Sequence, residues 1–237
     1  MMQAPYFYID SFSAGAATLT LDEENSRHAI QVLRLTKTDP ILLTDGKGHL
    51  VSATIIDDHR KHCQVKVESV EFFPRSQRQV TLAISLLKNR NRFEWLLEKV
   101  TELGITRIIP LLCARTEKES ARMDRMESVL ISALLQSRQV WLPELKSPTN
   151  FNAVQEWKLS TGSNYIAYCE EVPKKPLSEL AARETQQSLI CIGPEGDFSP
   201  AEYAMAMEEH FIGVSLGNTR LRTETAGVVA VSLLCLH

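Results

Sequence analysis

The chain has 237 residues, with 26 Lys or Arg against 29 Asp or Glu, so its formal net charge is −3. Hydrophobic residues make up 44% of it and Gly and Pro number only ten each, which excludes disordered and collagen-like proteins. The mild acidity argues against a protein that binds nucleic acid through an overall positive charge, but it allows a local basic patch. The length suits one large domain, or a small one and a medium one.

The N-terminal residues contain no basic segment followed by an apolar one, and the apolar stretch at 226–236 is too short to span a bilayer. We therefore expect a cytoplasmic protein that makes no membrane contact. The cysteines are five in number, widely spaced and without a CxxC pair, which excludes a disulfide scaffold and gives no zinc signature. Free thiols and no metal site are the expectation.

Residues 1–74 are predicted to form a small β-rich domain, interrupted by one helical stretch at Ser26–Arg34. The turn at Asp45-Gly46 is typical of a hairpin, and alternating apolar residues follow it. The polar, proline-containing segment Phe73–Arg78 marks the boundary with a second domain over residues 75–237. Strands of the first domain are predicted at Tyr6–Ile9, Thr18–Leu21, Ile41–Thr44, His49–Asp57 and Cys63–Val70.

From Gln79 onward, predicted strands alternate with predicted helices, which indicates an α/β domain with a parallel sheet covered on both faces. Strands are predicted at Val80–Leu86, Arg107–Leu112, Tyr165–Tyr168, Leu189–Ile192 and Gly213–Leu216. Helices are predicted at Arg92–Leu103, Met123–Arg138, Pro200–Glu209 and Glu224–Leu236.

Two glycine-bearing loops follow strands of this sheet. In the first, Gly193-Pro194-Glu195-Gly196 leads to Ser199-Pro200 and Glu202, a strong helix-start signal. Ligands of α/β sheets bind at the carboxyl ends of strands, and glycine lets the backbone approach a ligand closely. A tight turn without a ligand is the alternative. Neither GxGxxG nor GxxxxGK[ST] occurs, so dinucleotide and P-loop sites lose support.

The second loop, residues 216–223, also leads into a helix, which Thr223 is predicted to cap. Arg220, Arg222 and Glu224 gather three charges at this strand end. A solvated, self-paired turn is the alternative. Two such loops in the last third of the chain favour a single pocket.

A third segment is basic. Residues 76–128 hold ten basic and seven acidic side chains, the one stretch of the chain with a positive balance. Lys88, Arg90 and Arg92 lie in a predicted loop after a strand, where they are suited to contact RNA phosphates, and Arg27 and Arg34 extend this surface from the small domain. A solvated helix-entry loop is the alternative.

These motifs resemble the bacterial 16S ribosomal RNA (uracil-N3) methyltransferase family, which belongs to the SPOUT superfamily of knotted, S-adenosylmethionine-dependent enzymes. The resemblance covers nearly the whole chain. It is carried by Gly193-Pro194-Glu195-Gly196, Leu216-Gly217 and Leu221-Arg222-Thr223-Glu224-Thr225-Ala226, and in the earlier part by His28 with Val32-Leu33-Arg34, Glu102-Leu103-Gly104 and Gln136-Ser137-Arg138.

The resemblance implies a PUA-like RNA-binding barrel at 1–74 and a SPOUT domain at 75–237 with a C-terminal trefoil knot. It implies S-adenosyl-L-methionine as cofactor, 16S rRNA within the assembled small ribosomal subunit as partner, and a homodimer. The implied cofactor-binding residues are Tyr168, Cys169, Ile192, Gly193, Glu195, Gly196, Leu216, Gly217, Leu221 and Thr225.

Methylation at uracil N3 requires that the imide proton leave while negative charge develops on the uracil oxygens. Arg222 is the predicted stabiliser of that charge. Glu195 or Glu224 is the predicted proton acceptor, although each is equally suited to hold an arginine or cap a helix. Arg220 is predicted to bind RNA.

The chain departs from the family in having Asp197 where a second glycine is usual, and Thr219-Arg220 where an arginine and an aliphatic residue are usual. Two other functions stay open: a SPOUT-fold RNA-binding protein without turnover, and a SPOUT methyltransferase acting on another RNA base.

Overall fold

The computed structural model describes residues 4–13, 15–117, 121–170, 173–182 and 187–236. The chain groups into two compact units, one of Met1–Arg75 with Leu134–Leu142 and one of Ser76–Ala133 with Pro143–His237. Within the described ranges, no helix has the length and apolar character needed to cross a membrane.

The first unit contains a five-stranded sheet in the order β1-β3-β4-β5-β2. β1 pairs with β3 in parallel, and the other neighbours are antiparallel. Inward-facing residues such as Phe7, Leu43 and Val51 form its core. The predicted hairpin is confirmed, since β3 and β4 pair on either side of Gly46 and Gly48, which have φ values of 66° and 97°. The strands are β1 (Tyr6–Tyr8), β2 (Thr18–Thr20), β3 (Pro40–Thr44), β4 (His49–Asp57) and β5 (Gln64–Phe72).

The helical stretch of this unit begins earlier than predicted. Helix α1 spans Glu23–Arg27 because the Asp22 side chain accepts a 2.7 Å hydrogen bond from the backbone N–H of Asn25. A π-helical turn follows at His28–Val32. Arg34 lies beyond it with φ at 58°, so the predicted continuation of the helix to Arg34 is wrong.

The second unit contains an eight-stranded sheet in the order β11-β13-β10-β12-β6-β7-β8, with β9 also paired to β7. Every pairing in it is parallel, as predicted. The strands are β6 (Gln79–Ser85), β7 (Arg107–Leu112), β8 (Glu144–Leu145), β9 (Thr149–Asn150), β10 (Ser163–Ala167), β11 (Lys175–Pro176), β12 (Gln187–Ile192) and β13 (Ile212–Ser215). The helices are α2 (Arg90–Glu102), α3 (Met123–Gln136), α4 (Val154–Trp157), α5 (Leu177–Ala181), α6 (Pro200–Glu208) and α7 (Thr223–Cys235).

Both faces of this sheet are covered. Ala83 of β6 belongs to a core cluster with Phe151 and Phe198. The neighbouring side chains point to the other face, as the two-residue period of a strand requires. There α7 packs on α2 and β6 so closely that a Cβ atom at Gly227 would lie 2.8 Å from Leu96 Cδ1 and 2.9 Å from Ile84 Cδ1.

The sequence does not predict five short elements, β8, β9, β11, α4 and α5. Each has only two to five residues, too few for a hydrophobic period to be visible. Because all strands of the second sheet are parallel, their carboxyl ends meet at one edge. The loops predicted to carry chemistry therefore gather there.

Candidate functional site

The loops that follow β10, β12 and β13 enclose a cleft of about 760 Å³ at the carboxyl edge of the second sheet. The strand ends are aligned, because Ala167 lies in register with Ile192 on one side and with Val214 on the other. The cleft thus draws on three loops that are distant in sequence. Its volume falls in the range of small-molecule sites, roughly 300–1,000 Å³.

Nine of the ten residues predicted to bind a cofactor line this cleft. The exception is Thr225, which lies in the first turn of α7 and is not among the lining residues. The nine are Tyr168, Cys169, Ile192, Gly193, Glu195, Gly196, Leu216, Gly217 and Leu221.

The loop after β12 is held tightly in shape. A Cβ atom at Gly193 would lie 3.0 Å from the backbone nitrogen of Phe198, so the chain folds back directly over this glycine. The predicted helix start is confirmed: Ser199 caps α6 and Glu202 completes the capping box with Pro200 at the first helical position. Glu202 Oε1 also accepts a 2.7 Å hydrogen bond from the backbone N–H of Ala114, which ties the loop after β7 to α6.

Asp197 lies in the left-handed region of backbone space, with φ at 65°. Aspartate enters this region more readily than most residues, although glycine does so at the least cost. Its carboxylate accepts two hydrogen bonds of 2.8 Å, from the backbone N–H of Cys169 to Oδ2 and from that of Phe198 to Oδ1. The side chain therefore joins the loops after β10 and β12.

Three further side chains shape the cleft walls, although no sequence motif marks them. Lys174 Nζ donates to the backbone oxygens of Tyr168 at 2.7 Å and Glu170 at 2.6 Å. Arg115 Nη1 donates to the backbone oxygen of Gly196 at 2.6 Å. The Tyr203 ring stacks on Tyr168 with 4.2 Å between ring centroids. The Arg115 and Tyr203 contacts join residues far apart in the chain, and the Lys174 contacts lie within one loop. None of them follows from a periodicity or turn signal in the sequence.

The loop after β13 brings two arginines to the cleft. Arg220 and Arg222 both line it and are exposed. Helix α7 begins at Thr223 with Arg222 at the N-cap position and no side-chain capping bond, so the prediction that Thr223 caps the helix is wrong.

The two predicted proton acceptors differ in position. Glu195 is exposed and lines the cleft. Glu224 is 7% exposed and is not among the lining residues. Its Oε1 lies 3.7 Å from Arg92 Nε, and its Oε2 has no hydrogen-bond partner within the described parts of the chain. The sequence predicted the same role for both carboxylates, but in the structure only Glu195 lines the cleft.

The predicted basic loop is partly helical. The Asn89 side chain accepts from the backbone N–H groups of Asn91 and Arg92, so α2 begins at Arg90, two residues before the predicted start. Lys88 remains in the loop and pairs with Glu117 at 2.7 Å, a hydrogen bond that raises the pKa of the Lys88 amine.

Arg27 and Arg34, the other residues predicted to contact RNA, belong to the first unit and are exposed there. Arg27 pairs with Glu23 at 3.4 Å.

All five cysteines are free thiols, and Cys169 is the exposed one. Burial raises the pKa of Cys113 to about 12 and that of Cys63 to about 11. Within the described ranges, no group of three or more His, Cys, Asp or Glu side chains is arranged to hold a metal ion.

Comparison with known proteins identifies both parts of the chain. Residues 74–235 match the family model of an RNA methyltransferase domain, and residues 21–68 match that of an RNA methyltransferase PUA domain. These matches define the class of protein: an RNA methyltransferase domain preceded by a PUA domain.

Individual relatives identify one family within this class of RNA methyltransferases. The chain is 31% identical over 221 residues to ribosomal RNA small subunit methyltransferase E of Synechocystis sp., covering 91% of this chain and 72% of that one. It is 29% identical over 240 residues to the protein of the same name from Mycobacterium bovis, covering 97% and 90%. The crystal structure of the Neisseria gonorrhoeae ribosomal RNA small subunit methyltransferase E, bound to S-adenosyl methionine, superposes with a TM-score of 0.86 at 26% identity over 97% and 96% of the two chains. The chain belongs to the ribosomal RNA small subunit methyltransferase E family.

Proposed function

We propose that this protein transfers the methyl group of S-adenosyl-L-methionine to N3 of one uridine in the 16S rRNA of the small ribosomal subunit. The observation that carries the proposal is the cleft formed by the loops after β10, β12 and β13, with Arg222 at its edge. The relatives' names support an rRNA substrate, and the cofactor in the Neisseria gonorrhoeae structure supports the methyl donor.

The cleft residues fit such a cofactor. Ile192, Leu216 and Leu221 offer apolar contacts, while the glycine-bearing turns at Gly193, Gly196 and Gly217 expose backbone to a ligand. When bound, S-adenosylmethionine supplies a methyl group already activated by its positively charged sulfur. The chain's own task is therefore to orient the reactants and handle charge and protons on the uracil.

Arg222 is the proposed stabiliser of that charge. Loss of the N3 proton leaves negative charge on the uracil oxygens, and an exposed guanidinium at the cleft edge is suited to donate hydrogen bonds to them. One such donor contributes about 3 kcal/mol to the lowering of a reaction barrier. Because N3 lies on the pairing edge, the target uridine must be unpaired or rotated out of its helix.

Glu195 is the proposed proton acceptor. Of the two carboxylates predicted for this role, it is the one that lines the cleft. Glu224 is instead proposed to position Arg92, its neighbour at 3.7 Å. Arg220 lines the cleft beside Arg222, and its exposed guanidinium is suited to an RNA phosphate near the target.

The two proposed functions, RNA binding and methyl transfer, are assigned to the two domains predicted from the sequence. Residues 1–74 bind RNA, with Arg27 and Arg34 on their surface, and residues 75–237 bind the cofactor and carry out the transfer. The proposed target is 16S rRNA within an assembled subunit in the cytoplasm. A folded RNA that is recognised by its shape needs few phosphate contacts, so a protein with a net charge of −3 is suited to bind it.

The C-terminal part is proposed to form a trefoil knot and a homodimer. Knots are rare, so the fold of the sheet alone does not predict one. Support comes from the path of the chain: β13 lies on the far side of β10 from β12, yet α7, which follows it, packs back on α2 and β6. The half-buried Val228, Val229 and Leu233 leave apolar surface on α7 for a second copy.

The function is tested with purified protein, S-adenosylmethionine carrying a labelled methyl group, and small ribosomal subunits from a strain that lacks the gene. We expect label in 16S rRNA, recovered as 3-methyluridine. Subunit binding without label transfer would support the RNA-binding protein without turnover, and label in another nucleoside would support the alternative substrate base. Either result would overturn the proposal.

A further inference from the structure

Three arginines at the starts of two helices line a small cavity separate from the cleft. Arg90 lies in the first turn of α2, Arg122 immediately precedes α3, and Arg125 lies in the first turn of α3. The cavity floor is apolar and consists of Leu86, Leu87, Phe93 and Met126. Of these three, the sequence predicts an RNA contact for Arg90 alone, because only the fold brings the start of α3 beside it.

Glu94 is the one acidic residue among those that line this cavity in the described structure. Arg125 donates to its Oε2 from Nη2 at 2.8 Å and from Nε at 3.1 Å. That hydrogen bond, with the positive charges of Arg122 and Arg90, holds the pKa of Glu94 below its ordinary value. Among the described residues, Arg90 and Arg122 take part in no ion pair, so the cluster keeps a surplus of two positive charges.

The cluster adjoins the cleft through the first turn of α2. The segment from Leu86 to Arg92 follows β6, whose Ile84 pairs with Ile192 just before the Gly193 loop. Lys88, in that segment, is within electrostatic range of Glu195 at the cleft. On another side of the same helical turn, Arg92 lies 3.7 Å from Glu224, two residues from Arg222. The first turn of α2 therefore carries one guanidinium, that of Arg92, beside α7, and another, that of Arg90, beside the start of α3.

We propose that Arg90, Arg122 and Arg125 bind phosphodiester groups of the RNA strand beside the nucleotide that enters the cleft. The inference rests on the proposed function and names where its RNA backbone is held. Guanidinium is the group best matched to phosphate, since its planar donors bind two oxygens at once. Glu94 orients Arg125 and lowers the net charge of the cluster, so it also sets the strength of RNA binding.

The test measures the affinity of unmodified small ribosomal subunits for Arg90→Ala, Arg122→Ala and Glu94→Gln at salt concentrations from about 50 to 200 mM. Each arginine variant is expected to bind roughly three- to tenfold more weakly, with the salt slope reduced by about 1. Glu94→Gln removes the opposing charge and is expected to bind about two- to threefold more tightly. If Glu94 only stabilised the fold, Glu94→Gln would not bind subunits more tightly than the wild type.

Arg107→Ala is the matched control. It removes the same charge from a half-buried arginine at the amino end of β7, opposite the cleft edge, where Arg107 pairs with Glu144. Its subunit affinity and salt slope are expected to equal those of the wild type. The affinity for S-adenosylmethionine, measured by calorimetry, is expected to be unchanged in all four variants.

The proposal is overturned if the wild type methylates subunits while Arg90→Ala and Arg122→Ala keep its affinity and salt slope. Weakened binding by both variants, in a wild type that transfers no methyl group, would support the phosphate site and overturn the proposed function alone. A wild type that does not bind subunits would overturn both.

Discussion

The backbone N–H of Cys169 donates a 2.8 Å hydrogen bond to Oδ2 of Asp197, which ties the loop after β10 to the loop after β12. Asp197 occupies a position where glycine is usual in the family that this sequence resembles, and its φ of 65° is one that glycine adopts freely. Asp197 thus adopts a backbone conformation that is open to glycine, and its side chain adds a hydrogen bond between two cleft walls.

Asp197→Asn is expected to bind S-adenosylmethionine about fivefold more weakly, because an amide has one acceptor oxygen for two backbone N–H groups. This corresponds to about 1 kcal/mol, the typical size of one net hydrogen bond. Asp197→Ala is expected to lose about 1 kcal/mol more stability than Asp197→Gly, since alanine is strained at positive φ. Calorimetry and thermal unfolding measure the two effects. Equal melting temperatures for the Ala and Gly variants would contradict the backbone argument.

Cys169 is expected to be the cysteine that iodoacetamide modifies in the native protein, and bound cofactor is expected to protect it, because it is exposed and lines the cleft. Burial, the Asp197 charge and a hydrogen bond to Asp197 raise the pKa of this thiol. The reactive thiolate is therefore scarce at neutral pH, and the alkylation rate should keep rising above pH 9. Asp197→Asn should lower the pKa and speed alkylation at pH 8, as followed by mass spectrometry. A slower reaction in that variant would show that Asp197 does not oppose the thiolate.

Arg222→Ala is expected to lower kcat for subunit methylation by roughly 10²- to 10³-fold, the usual effect of removing one donor to a developing negative charge. The affinity for S-adenosylmethionine should change little. Arg222→Lys keeps the charge but not the planar donor pair, so we expect partial activity. Arg220→Ala is the control at the same cleft edge, with the loss expected mainly in KM for subunits. Retained kcat in Arg222→Ala would remove the proposed role.

Glu195→Gln is expected to lower kcat at least 10²-fold, the contribution typical of a positioned proton acceptor. Glu224→Gln is expected to keep kcat within about threefold of the wild type, because this residue lies outside the cleft lining and faces Arg92. Single-turnover kinetics separate the two. The reverse outcome would assign proton acceptance to Glu224.

Gly227→Val is expected to destabilise the second unit by about 2 kcal/mol, because its side chain would overlap Leu96 and Ile84 at the contact of α7 with α2 and β6. Leu96→Ala opens space at that contact but costs stability alone. The double variant should therefore lose less than the sum of the two single losses, as measured by denaturant unfolding. Strictly additive losses would mean that the two residues are not in contact.

Local signals in the sequence predicted much of the second sheet and one wall of the cleft. Three capping signals within four residues predict the start of α6: Ser199, Pro200 and Glu202. The structure confirms all three. The start of α2 is harder to predict, because Asn89 caps it through a side chain that can equally belong to a loop. Helix starts are predictable where several capping signals agree, and less so where one stands alone.

The contacts that shape the cleft could not be predicted from the sequence, because they depend on how the loops fold in space. Arg115 reaches the Gly196 oxygen from the loop after β7, and Lys174 closes the loop after β10 on itself. The pairing of Glu224 with Arg92 likewise depends on how α7 packs against α2. No periodicity or turn signal encodes such contacts. The sequence therefore identifies Glu195 and Glu224 as candidate proton acceptors but does not predict which of them lines the cleft.

The most direct test of the proposed activity is nucleoside mass spectrometry of 16S rRNA from a strain in which the gene is deleted and then restored. We predict that 3-methyluridine at one position disappears on deletion, returns with the wild-type gene, and does not return with Arg222→Ala. Persistence of 3-methyluridine in the deletion strain would contradict the account.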